Sequence, residues 1–239
     1  MDKRVVLVTG ASRGIGAAAA LAIARTGAHV VLTARTEGGL ADTDDAIRAA
    51  GGTATLLPLD LLEVDQIDMV GRSILQRFGR LDGLVHAAGT LGRLTPVHDL
   101  QPPDWASALG VNFQAAYRLI RTAAALLLAA ESGRAVFLTC AQARQPQAYW
   151  GIYGATKAAL EHLVLSWAAE VATTPLRVNL YDPGVVATRL RREAMPGENA
   201  AALPRPEDVA DGIAVLCGPD ETRHGVRVEH LLTVGGAAV

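Results

Sequence analysis

Three observations on the 239-residue chain predict one doubly wound α/β domain over residues 1–239. Short β-branched runs alternate with longer helical patterns, which builds βαβ units with right-handed crossovers. Several of these runs are apolar on both faces, as strands inside a parallel sheet are. The first run ends in a glycine-rich turn that opens into a helical pattern, the context a nucleotide-binding turn requires.

In chain order, residues 4–9 (RVVLVT) read as the first strand and 16–26 as the first helix. Residues 29–33 (HVVLT) and 53–59 (TATLLPL) read as strands around a helix at 40–50. A helix at 64–78 leads to a strand at 81–86 (LDGLVH), and one long helix is expected over 104–130. A strand at 134–139 (RAVFLT), a helix at 153–171 and a strand at 176–181 (LRVNLY) follow. A helix at 206–217 and a strand at 226–231 (VRVEHL) close the pattern. Residues 183–206 differ, with four prolines and two glycines. They read as a long connection with one short helix, and residues 185–205 are expected to form a substrate-side lid. The reason is position: the connection leaves the carboxyl end of a strand, where open α/β sheets bind ligands.

Composition narrows the function classes. Half of the residues are hydrophobic, enough for a sizeable core. There are 22 basic and 24 acidic side chains, net charge -2, and no long run of one sign, which argues against nucleic acid as partner. Two cysteines, Cys140 and Cys217, suit a reducing compartment better than a disulfide framework. The apolar run near the N-terminus is too short for a signal peptide, and TAAALLLAA at 122–130 falls short of the roughly 20 apolar residues a bilayer span needs. A soluble, cytoplasmic protein without membrane or metal partners is expected.

The turn after the first strand reads Thr9-Gly10-Ala11-Ser12-Arg13-Gly14-Ile15-Gly16. Its glycines permit a tight turn and a close approach to phosphate, and a helix N-terminus offers free N–H groups to an anion. An acid at the end of the second strand would hold a ribose 2′-hydroxyl and repel a 2′-phosphate. The chain has Thr33-Ala34-Arg35 there instead. Arg35 and Arg13 together favour NADP(H), because guanidinium pairs well with phosphate, with NAD(H) as the alternative.

Tyr153 and Lys157 are four residues apart, on one face of one helix. An ammonium beside a phenol favours the phenolate, and a phenol tuned that way can exchange a proton with a carbonyl oxygen. The ordered set of T-G-x-x-x-G-x-G at 9–16, A-A-G at 87–89, Asn112, Y-x-x-x-K at 153–157 and Pro183-Gly184 with Thr188 resembles the short-chain dehydrogenase/reductase family over nearly the whole chain.

The resemblance implies a Rossmann-type, seven-stranded parallel sheet and an NAD(P)-dependent oxidoreductase. It implies that Tyr153 is the general acid/base and that Lys157 lowers its pKa and holds the nicotinamide ribose. Asn112 would kink its helix and anchor a water in a proton relay. Gly10, Ser12, Arg13, Gly14, Ile15 and Gly16 would cradle the pyrophosphate side. Asp60 and Leu61 would lie beside the adenine, and Ala87, Ala88 and Gly89 against the adenine ribose. Pro183, Gly184, Val186 and Thr188 would flank the nicotinamide.

Two positions depart from the family pattern. His86-Ala87-Ala88-Gly89 stands where the family usually has Asn-Asn-Ala-Gly, and His86 is expected to serve packing or a backbone hydrogen bond. The catalytic serine of the family lies thirteen residues before the tyrosine, and here that residue is Cys140. A thiol is a weak donor, and loss of one preorganised donor costs on the order of 10²–10³ in rate. Thr139 faces the other way from its neighbour, whereas Gln142 shares Cys140's parity if the strand continues, so its amide is a substitute donor. Cys140 is thus a weakened replacement for serine, the mark of a catalytically impaired NADP-binding protein, a reactive thiol with lowered pKa, or a small buried residue; the first is favoured because Tyr153, Lys157 and Asn112 are all present.

Tyr149, Trp150 and the 185–205 loop are expected to line the substrate side, facing a small-molecule carbonyl or alcohol. Arg189, Arg191 and Arg192 read mainly as a solvated helix face. Leu119, Leu126, Leu127 and Leu128 on one helix, and Leu160, Leu163, Leu165 and Trp167 on another, cover most of each helix girth. A helix apolar all round is buried on more than one side, and the family resemblance implies that these helices pair across a dimer or tetramer interface, so a homodimer or homotetramer is expected.

Overall fold

The computed structural model describes residues 3–230. Its centre is a sheet of seven strands in the order β3-β2-β1-β4-β5-β6-β7, with every recorded pairing parallel. The strands are β1 (Val5–Thr9), β2 (His29–Thr33), β3 (Thr53–Leu56), β4 (Gly83–His86), β5 (Arg134–Leu138), β6 (Arg177–Asp182) and β7 (Arg227–Glu229). The order reverses between β1 and β4, so a crevice opens beyond their carboxyl ends.

Both faces are covered, and the strands show why their sequences are apolar throughout. Val5 and Leu7 of β1 point into one core layer with Phe137, Val178 and Leu180. Helices α3 (Val64–Phe78), α5 (Ala115–Ala129) and α6 (Gly151–Glu170) cover that layer. Val6 and Val8 point into the other with Val30, Leu32 and Val136, under α1 (Gly14–Arg25), α2 (Glu37–Ala49) and α8 (Pro206–Leu216). Side chains alternate faces along a strand, so burial of both faces demands a continuous apolar run.

Three elements differ from the sequence reading. The helix expected over 104–130 is α4 (Pro102–Leu109), a π-helical turn at Gly110–Gln114, and α5. The third strand ends at Leu56 rather than 59, although the N–H groups of Leu57 and Leu59, on either side of Pro58, still donate to the Leu32 and Ala34 carbonyls at 2.8 and 3.0 Å. The last strand spans Arg227–Glu229, and Leu231 of its expected span lies outside the described residues. The 185–205 connection carries α7 (Arg189–Ala194) and a 3₁₀ turn at Ala200–Ala202. Among the described residues, no helix is long and apolar enough to cross a membrane.

Candidate active site

The carboxyl ends of β1, β2, β4, β5 and β6 open into one cavity of about 680 Å³. At one end lies the glycine turn. Gly10 has φ +68°, and a Cβ on it would sit 2.8 Å from Cα of Ala88, so only glycine lets β1's exit pass against β4's. Gly16 is packed as closely, its Cβ position 2.3 Å from the carbonyl oxygen of Gly10. Arg13, the N-cap of α1, provides no side-chain cap, and Gly14, Ile15 and Gly16 of the first turn line the cavity. An anion there would meet uncapped N–H groups and the positive end of the helix.

Ser12, Arg13, Arg35, Asp60, Leu61, Ala87, Ala88 and Gly89 line the same end. Arg13 and Arg35 are exposed and form no ion pair among the described residues. The hydroxyl of Thr33 is buried there without a partner. Asp60 accepts a hydrogen bond from the Leu62 N–H at 3.0 Å, which sets the turn after β3. The donor set suits a dinucleotide: free helix N–H groups, two unpaired guanidiniums and an orphan hydroxyl.

The catalytic candidates occupy the other end. Tyr153, Lys157 and Cys140 line the cavity together, with the Cys140 sulfur beside the Tyr153 phenol. Lys157 is buried and donates to the Leu138 carbonyl at 2.9 Å. Burial lowers its pKa, opposed by the charges of Cys140, Asp182 and Glu161. Burial also holds the Tyr153 phenol well above its ordinary pKa, with Cys140 and then Asp182 pushing the same way. Lys157 is not among the groups that set this direction, so the expected lowering of the phenol by Lys157 finds no support here.

Burial raises the Cys140 thiol too, against the Lys157 charge and backbone N–H groups of Ala143 and Gln142. A reactive thiol needs the opposite shift. The strand does not continue through Cys140; a 3₁₀ turn at Ala141–Ala143 follows, so the parity argument for Gln142 fails. Gln142 still lines the cavity, with its amide donating to Gln147 at 3.3 Å. Thr139 also lines the cavity, but its hydroxyl is committed to Glu161 at 2.7 Å.

Asn112 is fully buried and is not part of the cavity wall. Its amide nitrogen donates to the Thr90 carbonyl (2.9 Å) and to Thr156 (3.0 Å), and its oxygen accepts from the Thr90 N–H (2.8 Å). Both amide protons are committed to bracing the strand β4 exit against α6. His86 is fully buried; its Nδ1 lies 2.9 Å from the Thr9 hydroxyl, a side-chain partner rather than the expected backbone one. Burial pushes it down to about 3, with help from Lys157.

Pro183, Gly184, Val186 and Thr188 line the cavity beside Trp150, whose ring meets Tyr153 edge-on at 5.8 Å. Leu91, Trp150, Tyr153 and Ala194 of α7 share one apolar cluster, with Leu190 and Met195 against it. The 185–205 connection therefore lies over the tyrosine. Tyr149 is not in the wall: it is 59% exposed and has φ +72°. Asp182 was not singled out in the sequence, yet it lines the cavity and accepts from the Gly184 N–H at 2.9 Å. Its signal was Asp directly before Pro-Gly, a turn-forming triplet.

A family profile described as short chain dehydrogenase matches residues 4–199. The uncharacterized oxidoreductase YciK of Escherichia coli K12 is 35% identical over 226 residues, covering 93% of this chain and 89% of that protein. A solved short chain dehydrogenase from Pseudomonas syringae superposes with TM-score 0.91 at 39% identity, covering 95% of each chain. Another, from Escherichia coli CFT073 and complexed with NADPH, gives 0.90 at 34% identity, with 96% and 97% covered. The seven-stranded parallel sheet agrees with these matches, and the chain belongs to the short-chain dehydrogenase/reductase family of NAD(P)-dependent oxidoreductases.

Proposed function

We propose that the protein is an NADPH-preferring reductase of a small-molecule carbonyl, reversible to alcohol oxidation, with Tyr153 as the proton donor. The observation that carries this reading is the buried Tyr153 phenol in the cavity wall, with Cys140 and Lys157 in the same wall and burial holding its pKa high. When bound, the reduced nicotinamide supplies a hydride to the carbonyl carbon. Tyr153 gives its O–H proton to the carbonyl oxygen, so that C=O becomes CH–OH. Cys140 points a neutral S–H at the same place, where a donor steadies the charge developing on oxygen. Lys157 stands one helical turn behind the phenol and supplies positive charge for its recharging.

Arg13 and Arg35 support the preference for NADPH over NADH, since both line the adenosine end unpaired and β2 ends without an acid. The NADPH complex of the Escherichia coli CFT073 relative agrees with it. Pro183, Gly184, Val186 and Thr188 would hold the nicotinamide end, and Trp150 with the 185–205 connection would exclude water from the substrate.

A second reading is favoured by one observation: the serine position holds a thiol, a poor donor. On that reading the protein binds NADPH and turns over feebly. Wild type and Cys140→Ser are compared for NADPH oxidation against ketones, aldehydes, diketones and quinones. Turnover by wild type, raised on the order of tenfold or more in Cys140→Ser, is the expected result. Turnover by the serine variant alone would favour the impaired reading. Silence of both with NADPH still bound would count against reduction of these classes.

A further inference from the structure

The cavity rests on a buried ionic cluster with no counterpart in the chemistry described so far. Its hub is Arg227 on β7, whose side chain is 6% exposed. One end of the guanidinium donates to Glu161 at 2.8 Å, and the other donates to Asp182. Both carboxylates are buried. Glu161 also accepts from Thr139 at 2.7 Å and from Arg144 at 2.8 Å. Asp182 turns its other oxygen to the Gly184 N–H at 2.9 Å.

Each arm of this hub ends on a different part of the site. Glu161 lies one turn after Lys157 on α6, the helix of Tyr153. Thr139 precedes Cys140 at the end of β5. Asp182 ends β6 and shapes the Pro183–Gly184 turn, where Gly184 takes φ +69°. Burying this many charges is costly, and such clusters gain little stability over a packed apolar core. What a planar, forked guanidinium adds is fixed geometry: it holds two carboxylates from two elements in one plane.

We propose that Arg227 is a positioning residue that sets the nicotinamide end of the cofactor site. It rests on the reading of Pro183–Gly184 as the nicotinamide turn. Arg227 touches neither cofactor nor substrate. It acts through Asp182 on the turn and through Glu161 on α6 and the Cys140 strand end. The adenosine end, built by the α1 turn, Arg13 and Arg35, lies across the sheet and is outside its reach.

The test uses two probes that report on the two ends: NADPH, followed by its fluorescence, and adenosine 2′,5′-bisphosphate, which occupies only the adenosine end. Wild type, Arg227→Gln and Arg227→Lys are titrated at a temperature where circular dichroism shows each folded. Arg227→Gln is expected to weaken NADPH on the order of tenfold, the scale seen when a group that orients a ligand-holding residue is removed. Adenosine 2′,5′-bisphosphate is expected to bind all three within about twofold. Arg227→Lys keeps the charge but not the fork, so it should fall between; it carries the test if Arg227→Gln does not fold. Unchanged NADPH affinity in the variants overturns the proposal, and so does equal weakening of both probes, which would mark a purely structural role. Wild type that binds neither probe would instead remove the cofactor reading on which the proposal rests.

Discussion

Cys140 shows how one atom changes a site without changing its geometry. On the proposed reading sulfur stands where the family places a hydroxyl, in the same wall as Tyr153, and burial raises its pKa. Its replacement by serine is therefore the informative substitution, expected to raise turnover. Arg35 bears on the cofactor. Arg35→Asp should weaken NADPH by about tenfold or more while NADH loses little, because a carboxylate repels the 2′-phosphate and accepts a 2′-hydroxyl; equal affinities for both cofactors in both proteins would remove Arg35 from the site. His86 links the site to acid stability. Its folded pKa of about 3 lies below the ordinary 6.5, so the unfolded chain binds the extra proton first. The stability from neutral His86 is complete above about 6.5 and is lost as pH falls toward 3. The slope is about 1.4 kcal/mol per pH unit within that window. Glu221, lowered to about 2 by Arg223, adds its own loss only below its ordinary 4.5. Between pH 6.5 and 4.5, His86→Gln should flatten the dependence seen in urea unfolding, and an unchanged slope would assign it to other groups.

At the scale of elements, one departure from regular structure and one close helix contact stand out. The π turn at Gly110–Gln114 separates α4 from α5 and brings Asn112 inward to Thr90 and Thr156. Such turns concentrate at functional sites. Nothing in the periodicity of 104–130 signals it, because the segment is apolar around most of its girth and the phase shift of about 100° from one extra residue leaves no mark. The contact of α3 with α5 is the second feature: a Cβ on Gly71 would lie 2.0 Å from the Thr122 carbonyl oxygen. Gly71→Ala must push the helices apart, and it should destabilise by about 1–3 kcal/mol. That corresponds to roughly 2–4 °C per kcal/mol for a chain of this size, read by thermal circular dichroism. An unchanged midpoint would mean that the pair slides at no cost.

For the whole molecule, the apolar girth of α5 and α6 is only partly used within one chain. Leu119, Leu127 and Leu160 are fully buried in the core, and Leu126, Leu163 and Leu165 pack against it. Tyr117 and Leu128 remain 46% and 38% exposed on α5. Association through these faces predicts a mass by light scattering at a multiple of the 24.9 kDa chain. A monomer mass at working concentration would mean that the core alone accounts for the apolar pattern.

The sequence by itself determined the class of the fold and, through the ordered motifs, the oxidoreductase family. Both-face apolar runs alternating with helical patterns point to strands buried in a parallel sheet, and Gly10 and Gly16 stand where any Cβ would strike backbone. Tyr153, Lys157 and Cys140 were legible because the spacing of four on a helix, and a fixed distance to a strand end, survive folding unchanged. Tertiary structure alone decided what depends on burial and on partners distant in sequence. The direction of the Tyr153 shift came from desolvation, which no spacing reveals. The bracing role of Asn112 came from Thr90, and the exclusion of Tyr149 from a single left-handed backbone turn. Arg227, Glu161 and Asp182 read as ordinary charges in the sequence, 66 and 45 residues apart from the hub. They become one cluster only because β7 pairs with β6 beneath α6, and water is excluded between them.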